Sequence, residues 1–287
     1  MREIPCQEKV LDDSAGRVSY RIYGSTGPHI LLLDGLLGGA ELWQPLVGHF
    51  GDRYQFLHGA GFGSEDDDTQ IASPAGHARN ALRILDAEGV STAAVLASAM
   101  GTLIALELVR LAPERVALLS LIGGGAHLRA GQTSESRLQA SLFRFVVRRL
   151  SKLPEPLLQQ GLSLLRGPEA YLWARRLRLL GSKADPELFA RLLRKIAKRK
   201  VSSMVGTLAL AQIHDASDVL PRVGVPVLVV AAGQDPLTSR GAMEQLVSEI
   251  PDAQYLLLSD AGHFALLDHA DLLNLRLEKF LVEQDYR

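Results

Sequence analysis

Short apolar runs alternate with longer amphipathic stretches along most of the chain, and the two periods separate its elements. Arg17–Tyr23 alternates polar and apolar residues, as a strand at a solvent edge does. His29–Leu33, Thr92–Ala97, Val116–Ile122 and Pro226–Ala232 are unbroken apolar runs, which fits strands buried on both faces. Tyr54–Leu57 and Gln254–Leu258 complete the predicted strands. Helical spacing falls between them, at Glu41–Phe50, Ser73–Gly89, Met100–Leu111, Ser239–Ile250 and Asp268–Val282. In Ser73–Gly89, Ala78, Leu82 and Leu85 share one side, and Gly89 is a stop. Strands separated by helices predict an α/β fold with a mainly parallel sheet covered on both faces.

One stretch breaks the alternation. Residues 137–150, 155–166, 169–180 and 186–213 all read as helix, so residues 126–217 form a predicted helical insertion. The sheet domain is then 1–125 and 218–287. Charge follows the same partition. The whole chain has 31 Lys+Arg and 32 Asp+Glu, a net charge of −1, which argues against a nucleic-acid binder. Yet His127–Lys200 has 17 basic and 5 acidic residues, a balance of +12, and the remainder has 14 and 27, a balance of −13. Cys6 is the sole cysteine, so no internal disulfide or multi-cysteine zinc site is expected. Met1–Ser14 is polar rather than a secretory leader, and no apolar run is long enough to span a bilayer. These features predict a soluble cytoplasmic protein.

In an open parallel sheet, ligands collect at the carboxyl ends of strands, so the loops after the predicted strands carry the chemistry. They read Asp34-Gly35-Leu36-Leu37-Gly38-Gly39, His58-Gly59-Ala60-Gly61-Phe62-Gly63-Ser64, Ala97-Ser98-Ala99-Met100-Gly101, Gly233-Gln234-Asp235-Pro236 and Asp260-Ala261-Gly262-His263-Phe264. None is a phosphate-binding or dinucleotide glycine loop, and the eight histidines are dispersed rather than grouped as metal ligands. No metal or cofactor is expected. A sharp strand-to-helix turn needs small residues two before and two after its apex, and Ala97 and Gly101 meet that need around Ala99.

This turn resembles the nucleophile elbow of the α/β-hydrolase family, G-x-S-x-G, and Met100–Leu108 resembles the helix that follows it. The resemblance covers residues 17–125 and 218–284. It implies an eight-stranded, mostly parallel sheet with a helical lid at 126–217, and a nucleophile, an acid and a histidine in that order. Asp235 and His263 hold the last two places. On this resemblance the oxyanion hole is the backbone N–H of Met100 and that of Leu36. Each loop also has a plainer reading, since Asp-Pro commonly makes a turn and Gly-His-Phe can hold a core histidine.

The family's implied activity is hydrolysis of a carboxylic ester or thioester by a Ser/Asp/His mechanism. Ala99 stands at the nucleophile position and has no group that can attack a carbonyl, so the covalent route is closed in this chain. Both a Ser→Ala substitution and a natural loss of hydrolysis are compatible with the sequence. In the second case His263 and Asp235 serve proton transfer without a covalent intermediate, or the chain is a binding protein. The chain departs from the family twice more. Asp34-Gly35 stands where His-Gly is usual, and His58 stands where Asp is usual, which predicts an exchanged pair bonded across neighbouring strands or a pair that binds substrate. For the basic insertion three readings stay open: a solvated face, a lid that steers a small anionic or acyl substrate, and peripheral contact with an anionic membrane surface.

Overall fold

The predicted strands form one eight-stranded sheet in the computed structural model, which describes residues 4–59, 61–62, 73–128, 149, 153–163, 167 and 169–287. The strands are β1 (Cys6–Asp13), β2 (Gly16–Tyr23), β3 (His29–Leu33), β4 (Gln55–His58), β5 (Ala93–Ser98), β6 (Val116–Ile122), β7 (Val227–Ala232) and β8 (Ala253–Leu258). Their order across the sheet is β1-β2-β4-β3-β5-β6-β7-β8. The pairings β1/β2 and β2/β4 are antiparallel, and all the others are parallel.

The helices are α1 (Ala40–Phe50), α2 (Pro74–Ala87), α3 (Gly101–Leu111), α4 (Glu155–Ser163), α5 (Glu169–Arg176), α6 (Pro186–Ile196), α7 (Val201–Ile213), α8 (Arg240–Glu249), α9 (Ala265–Asp268) and α10 (Ala270–Glu283). The period of two in the central strands divides them between two cores. Leu31, Leu33, Val227 and Val229 pack with α2, α3 and α8, through residues such as Ile84, Ile104 and Leu246. Ile30, Leu32, Leu228 and Val230 pack with α1 and α10, through Trp43, Leu46 and Phe280. Caps set two of the helix starts: Ser73 Oγ accepts from Gly76 N–H at 3.2 Å, and Ser239 Oγ accepts from Ala242 N–H at 3.2 Å.

Several expectations need correction. Arg17–Tyr23 is not the edge of the sheet, because β1 pairs along its outer side and takes the edge itself. The helix predicted over 186–213 is two, α6 and α7, with a turn at Ala197–Lys200 in which Lys198 N–H donates to Lys195 O and Arg199 N–H to Ile196 O. The helix predicted over 169–180 ends at Arg176, after which Arg178 takes a left-handed conformation (φ 58°). The helix predicted over Asp268–Val282 is divided at His269, which separates α9 from α10. The helix predicted over 137–150 lies outside the described residues, apart from Arg149. No described helix is long and apolar enough to cross a membrane.

The helices α4 to α7 lie between β6 and β7 in the chain, and α6 belongs to the same apolar core as α1. Leu188, Leu192 and Ile196 are buried there with Trp43 and Leu46. The turn between α6 and α7 meets the loop after β3, where Arg199 bonds the Leu36 and Gly38 carbonyls. At the same end of the sheet β3 and the start of α3 are in close contact. A Cβ at Gly101 would overlap the Leu33 carbonyl oxygen, a backbone atom that cannot rotate away. Gly101→Ala is therefore expected to destabilise the fold by about 2–3 kcal/mol through overpacking, read as a lower denaturation midpoint in urea.

Candidate active site

Ala99 follows β5 directly and adopts a left-handed conformation (φ 52°), which an alanine seldom holds without help. Help comes from three hydrogen bonds. Ala99 N–H donates to Ile122 O at 2.8 Å, and its carbonyl accepts from Thr102 N–H at 3.1 Å and from the Thr102 hydroxyl at 2.8 Å. The elbow is therefore held by the end of β6 and the first turn of α3 rather than by the apex side chain.

The loop after β3 closes on this elbow. An added Cβ at Gly35 would lie 2.9 Å from Ala99 Cβ and 3.1 Å from Met100 N, so the two backbones run in contact. Gly38 N–H donates to Gly35 O at 3.0 Å and closes the turn Gly35–Gly38. Among the described residues, the N–H groups of Leu36 and Met100 donate to no protein acceptor. Donors left unspent near the apex suit the oxyanion role proposed below.

His263 and Asp235 meet across the ends of neighbouring strands β8 and β7. His263 Nδ1 lies 2.8 Å from Asp235 Oδ2. A carboxylate can only accept, so Nδ1 carries a proton, and in the neutral ring the lone pair is then on Nε2. The other oxygen, Oδ1, accepts from Leu237 N–H at 2.7 Å and Thr238 N–H at 3.1 Å. The Asp235 side chain is 1% exposed and that of His263 9%. The elbow and the dyad converge at Gly123–Gly124: an added Cβ at Gly123 would lie 3.7 Å from Asp235 Oδ2, and one at Gly124 would overlap Ala99 O.

The Asp34–His58 pair is made across neighbouring strands β3 and β4, with His58 Nε2 donating to Asp34 Oδ2 at 2.7 Å. Trp43 Nε1 donates to the other oxygen, Oδ1. This pair differs from the first in one decisive respect. Here Nε2 is engaged, and Nδ1 is buried without a protein partner among the described residues. Asp34→Ala would strand a buried imidazole and a buried indole N–H, and is expected to cost about 3–5 kcal/mol, as when a buried pair loses one member. Urea denaturation against Asp12→Ala, on the exposed edge strand, measures it; equal midpoints for the two variants would refute it.

The basic residues of the helical segment are the part that sequence reasoning placed least well. Three of them, Arg191, Lys195 and Arg199, recur every four residues and reach the sheet domain. Arg191 Nη2 donates to Gln44 Oε1 at 3.1 Å, and Lys195 Nζ pairs with Glu41 Oε1 at 3.0 Å. Arg199 donates through Nη1 to Leu36 O at 2.8 Å and through Nη2 to Gly38 O at 2.7 Å. On the other side of the site, Phe264 N–H donates to Leu179 O at 3.0 Å, and Phe264 packs edge-on against Phe189 with ring centres 5.6 Å apart. Gly262 N–H, next to the histidine, is held by Asp268 Oδ2 at 2.8 Å. Burial raises the Asp268 carboxyl pKa, partly offset by the N–H groups of Gly262 and Gly181.

The model of the alpha/beta hydrolase fold family matches residues 28–270, and the chain belongs to that family. Its relatives there are hydrolases by designation. A protein designated carbamate hydrolase RutD, from Azorhizobium caulinodans, is 31% identical over 275 residues, which is 93% of this chain and 95% of the relative. A pimeloyl-[acyl-carrier protein] methyl ester esterase from Xanthomonas oryzae pv. oryzae is 27% identical over 263 residues, covering 89% and 95%. Among solved structures, the enol-lactonase from Burkholderia xenovorans LB400 superposes with a TM-score of 0.75 at 18% identity, covering 96% of this chain and 100% of that one, a likeness of fold.

Proposed function

We propose that the chain is built to hydrolyse a carboxylic ester or thioester by a nucleophile–His–Asp mechanism, and that Ala99 leaves it without the nucleophile. The observation that carries this reading is the His263–Asp235 hydrogen bond of 2.8 Å, with Nε2 free, beside an elbow that keeps its left-handed turn. In this reading residues 126–217 are a lid over the site. Asp235 fixes the imidazole tautomer and stabilises the protonated ring, and His263 acts as general base. The N–H groups of Met100 and Leu36 receive the oxyanion. Backbone donors do not depend on the side chain at position 99, so a carbonyl substrate is still bound and polarised. The designations of the relatives, for carbamate, ester and lactone substrates, share a carbonyl bonded to a heteroatom, which supports the same class here.

The engagement of both Asp34 oxygens supports a role for Asp34 and His58 in holding the oxyanion loop. Trp173 and Leu177, one turn apart and largely exposed, lie beside Arg175 and Arg176 on the helical segment, which supports peripheral contact with an anionic membrane surface. A second reading rests on the dyad itself: an intact base and acid beside Ala99 suit proton transfer on a bound substrate without a covalent intermediate. Ala99→Ser separates the two. Turnover of activated esters and labelling by a fluorophosphonate in the Ser form support the hydrolase. A folded Ser form that does neither moves the assignment to proton transfer.

A further inference from the structure

We propose that Arg199 is a positioning residue that holds the oxyanion loop from the helical segment, so that the Leu36 N–H faces the elbow only while this guanidinium bridges the Leu36 and Gly38 carbonyls. The inference rests on the function proposed above and adds to it a residue that neither motif nor spacing marks.

The loop needs such support. Gly35 and Gly38 bound the turn and Gly39 follows it, so three of its residues lack the side chains that would limit the backbone. Its internal restraint is the Gly38 N–H to Gly35 O bond of 3.0 Å. From below, Asp34 is fixed by His58 and Trp43. From above, the fixed fork of Arg199 places one nitrogen on each of two carbonyls, at 2.8 and 2.7 Å. Charge-assisted bonds of this length are about twice as strong as neutral ones, and the planar fork sets direction as well as distance. Leu36 C=O and Leu36 N–H belong to consecutive peptides. Holding the carbonyl while Gly35 rests on Ala99 and Met100 therefore sets the direction of the N–H.

Arg199 is itself aimed by a built joint. Its carbonyl accepts from Gln159 Nε2 at 2.6 Å, and its N–H donates to Ile196 O at 3.0 Å. Glu155 Oε1 accepts from Val201 N–H at 2.8 Å and Oε2 from Ser202 N–H at 2.9 Å, which starts α7 two residues after the arginine. The break between α6 and α7 thus has a consequence, because a continuous helix would carry Arg199 without this turn.

Two measurements decide the matter. In the chain as it stands, Arg199→Gln is expected to raise hydrogen–deuterium exchange across 35–39 while leaving 93–101 as it was; unchanged exchange across 35–39 overturns the proposal. In the Ala99→Ser background, Arg199→Gln is expected to lower kcat by about 10- to 100-fold with KM within about 3-fold, somewhat less than outright loss of an oxyanion donor. Arg199→Lys, which keeps the charge without the fork, is expected to recover part of that loss, and it replaces the Gln variant if the latter does not fold. Lys195→Met breaks a neighbouring contact of the same helix with α1 and is expected to move Tm without the fall in kcat. An equal fall in kcat for Lys195→Met, or a full kcat for the Arg199 variants, overturns the positioning role. If the Ala99→Ser form is itself inactive, the hydrolase reading fails, and the clamp stands or falls on exchange alone.

Discussion

Serine at position 99 is expected to raise kcat on an activated ester by about 10⁶, the size of the loss when a serine hydrolase is stripped of its nucleophile. The gain is expected in one substitution because the rest of the machinery is in place. The apex is already left-handed at φ 52°, held by Ile122 and Thr102 rather than by its side chain, so a hydroxyl can be added without rebuilding the turn. Gly35 passes close to the apex, yet the added Oγ extends from the Cβ that alanine already has. The base is oriented by a buried acid whose second oxygen is occupied by two backbone N–H groups. A fluorophosphonate is expected to add its phosphoryl group to residue 99 in the Ser form, detected by intact mass, and to leave the Ala form unmodified. Steady-state rates on short- and long-chain p-nitrophenyl esters give the magnitude. A folded Ser form without label or turnover would overturn the covalent mechanism.

What the sequence makes legible follows from where the physics is local. Strands buried on both faces announce themselves as apolar runs, and the ligand loops of a parallel sheet come directly after them. Ala99, Asp235 and His263 stand in the loops that follow Ala97, Ala232 and Leu258, so their places are marked by the strands before them. β1 left no such mark. Cys-Gln-Glu-Lys-Val-Leu-Asp-Asp has no continuous apolar face, and the strand is held by its pairing with β2, by Leu11 against the rim of the core and by the ion pairs Lys9–Glu88 and Asp13–Arg83. Its charges are those an edge strand uses to resist further pairing. Arg199 was illegible for a different reason. As one cation in a run of them it reads as a solvated face, and its partner Leu36 lies 163 residues away in the chain. Only folding brings the two together, so the net charge of the segment described its composition and not what Arg191, Lys195 and Arg199 touch. The Asp34–His58 exchange lies between these cases. The two residue types stood at opposite places in neighbouring strands, so the pair was legible, whereas which ring nitrogen makes the bond was not.

That ring nitrogen separates two aspartate–histidine pairs of nearly equal length, at 2.8 and 2.7 Å, and leads to the second large effect. Only His263 is bonded through Nδ1, which in the proposed mechanism leaves Nε2 to take the proton of a serine placed at position 99. His58 is bonded through Nε2 and its other nitrogen is buried, which suits the loop-holding role proposed for it. In the Ala99→Ser background, Asp235→Asn is therefore expected to lower kcat by about 10⁴. The two backbone N–H groups of Leu237 and Thr238 point at Oδ1, so the Asn carbonyl oxygen takes that place and its NH₂ faces His263 Nδ1. Nδ1 must then accept, the ring proton moves to Nε2, and the base has no lone pair for the serine hydroxyl. KM is expected to change little, since the backbone donors of Met100 and Leu36 are untouched. Asp218→Asn, on the distant turn Ser217–Arg222, keeps the parent rate and serves as the control. A fall of less than about tenfold for Asp235→Asn would mean that the tautomer is not set by this carboxylate, and the general-base role of His263 would have to be abandoned with it.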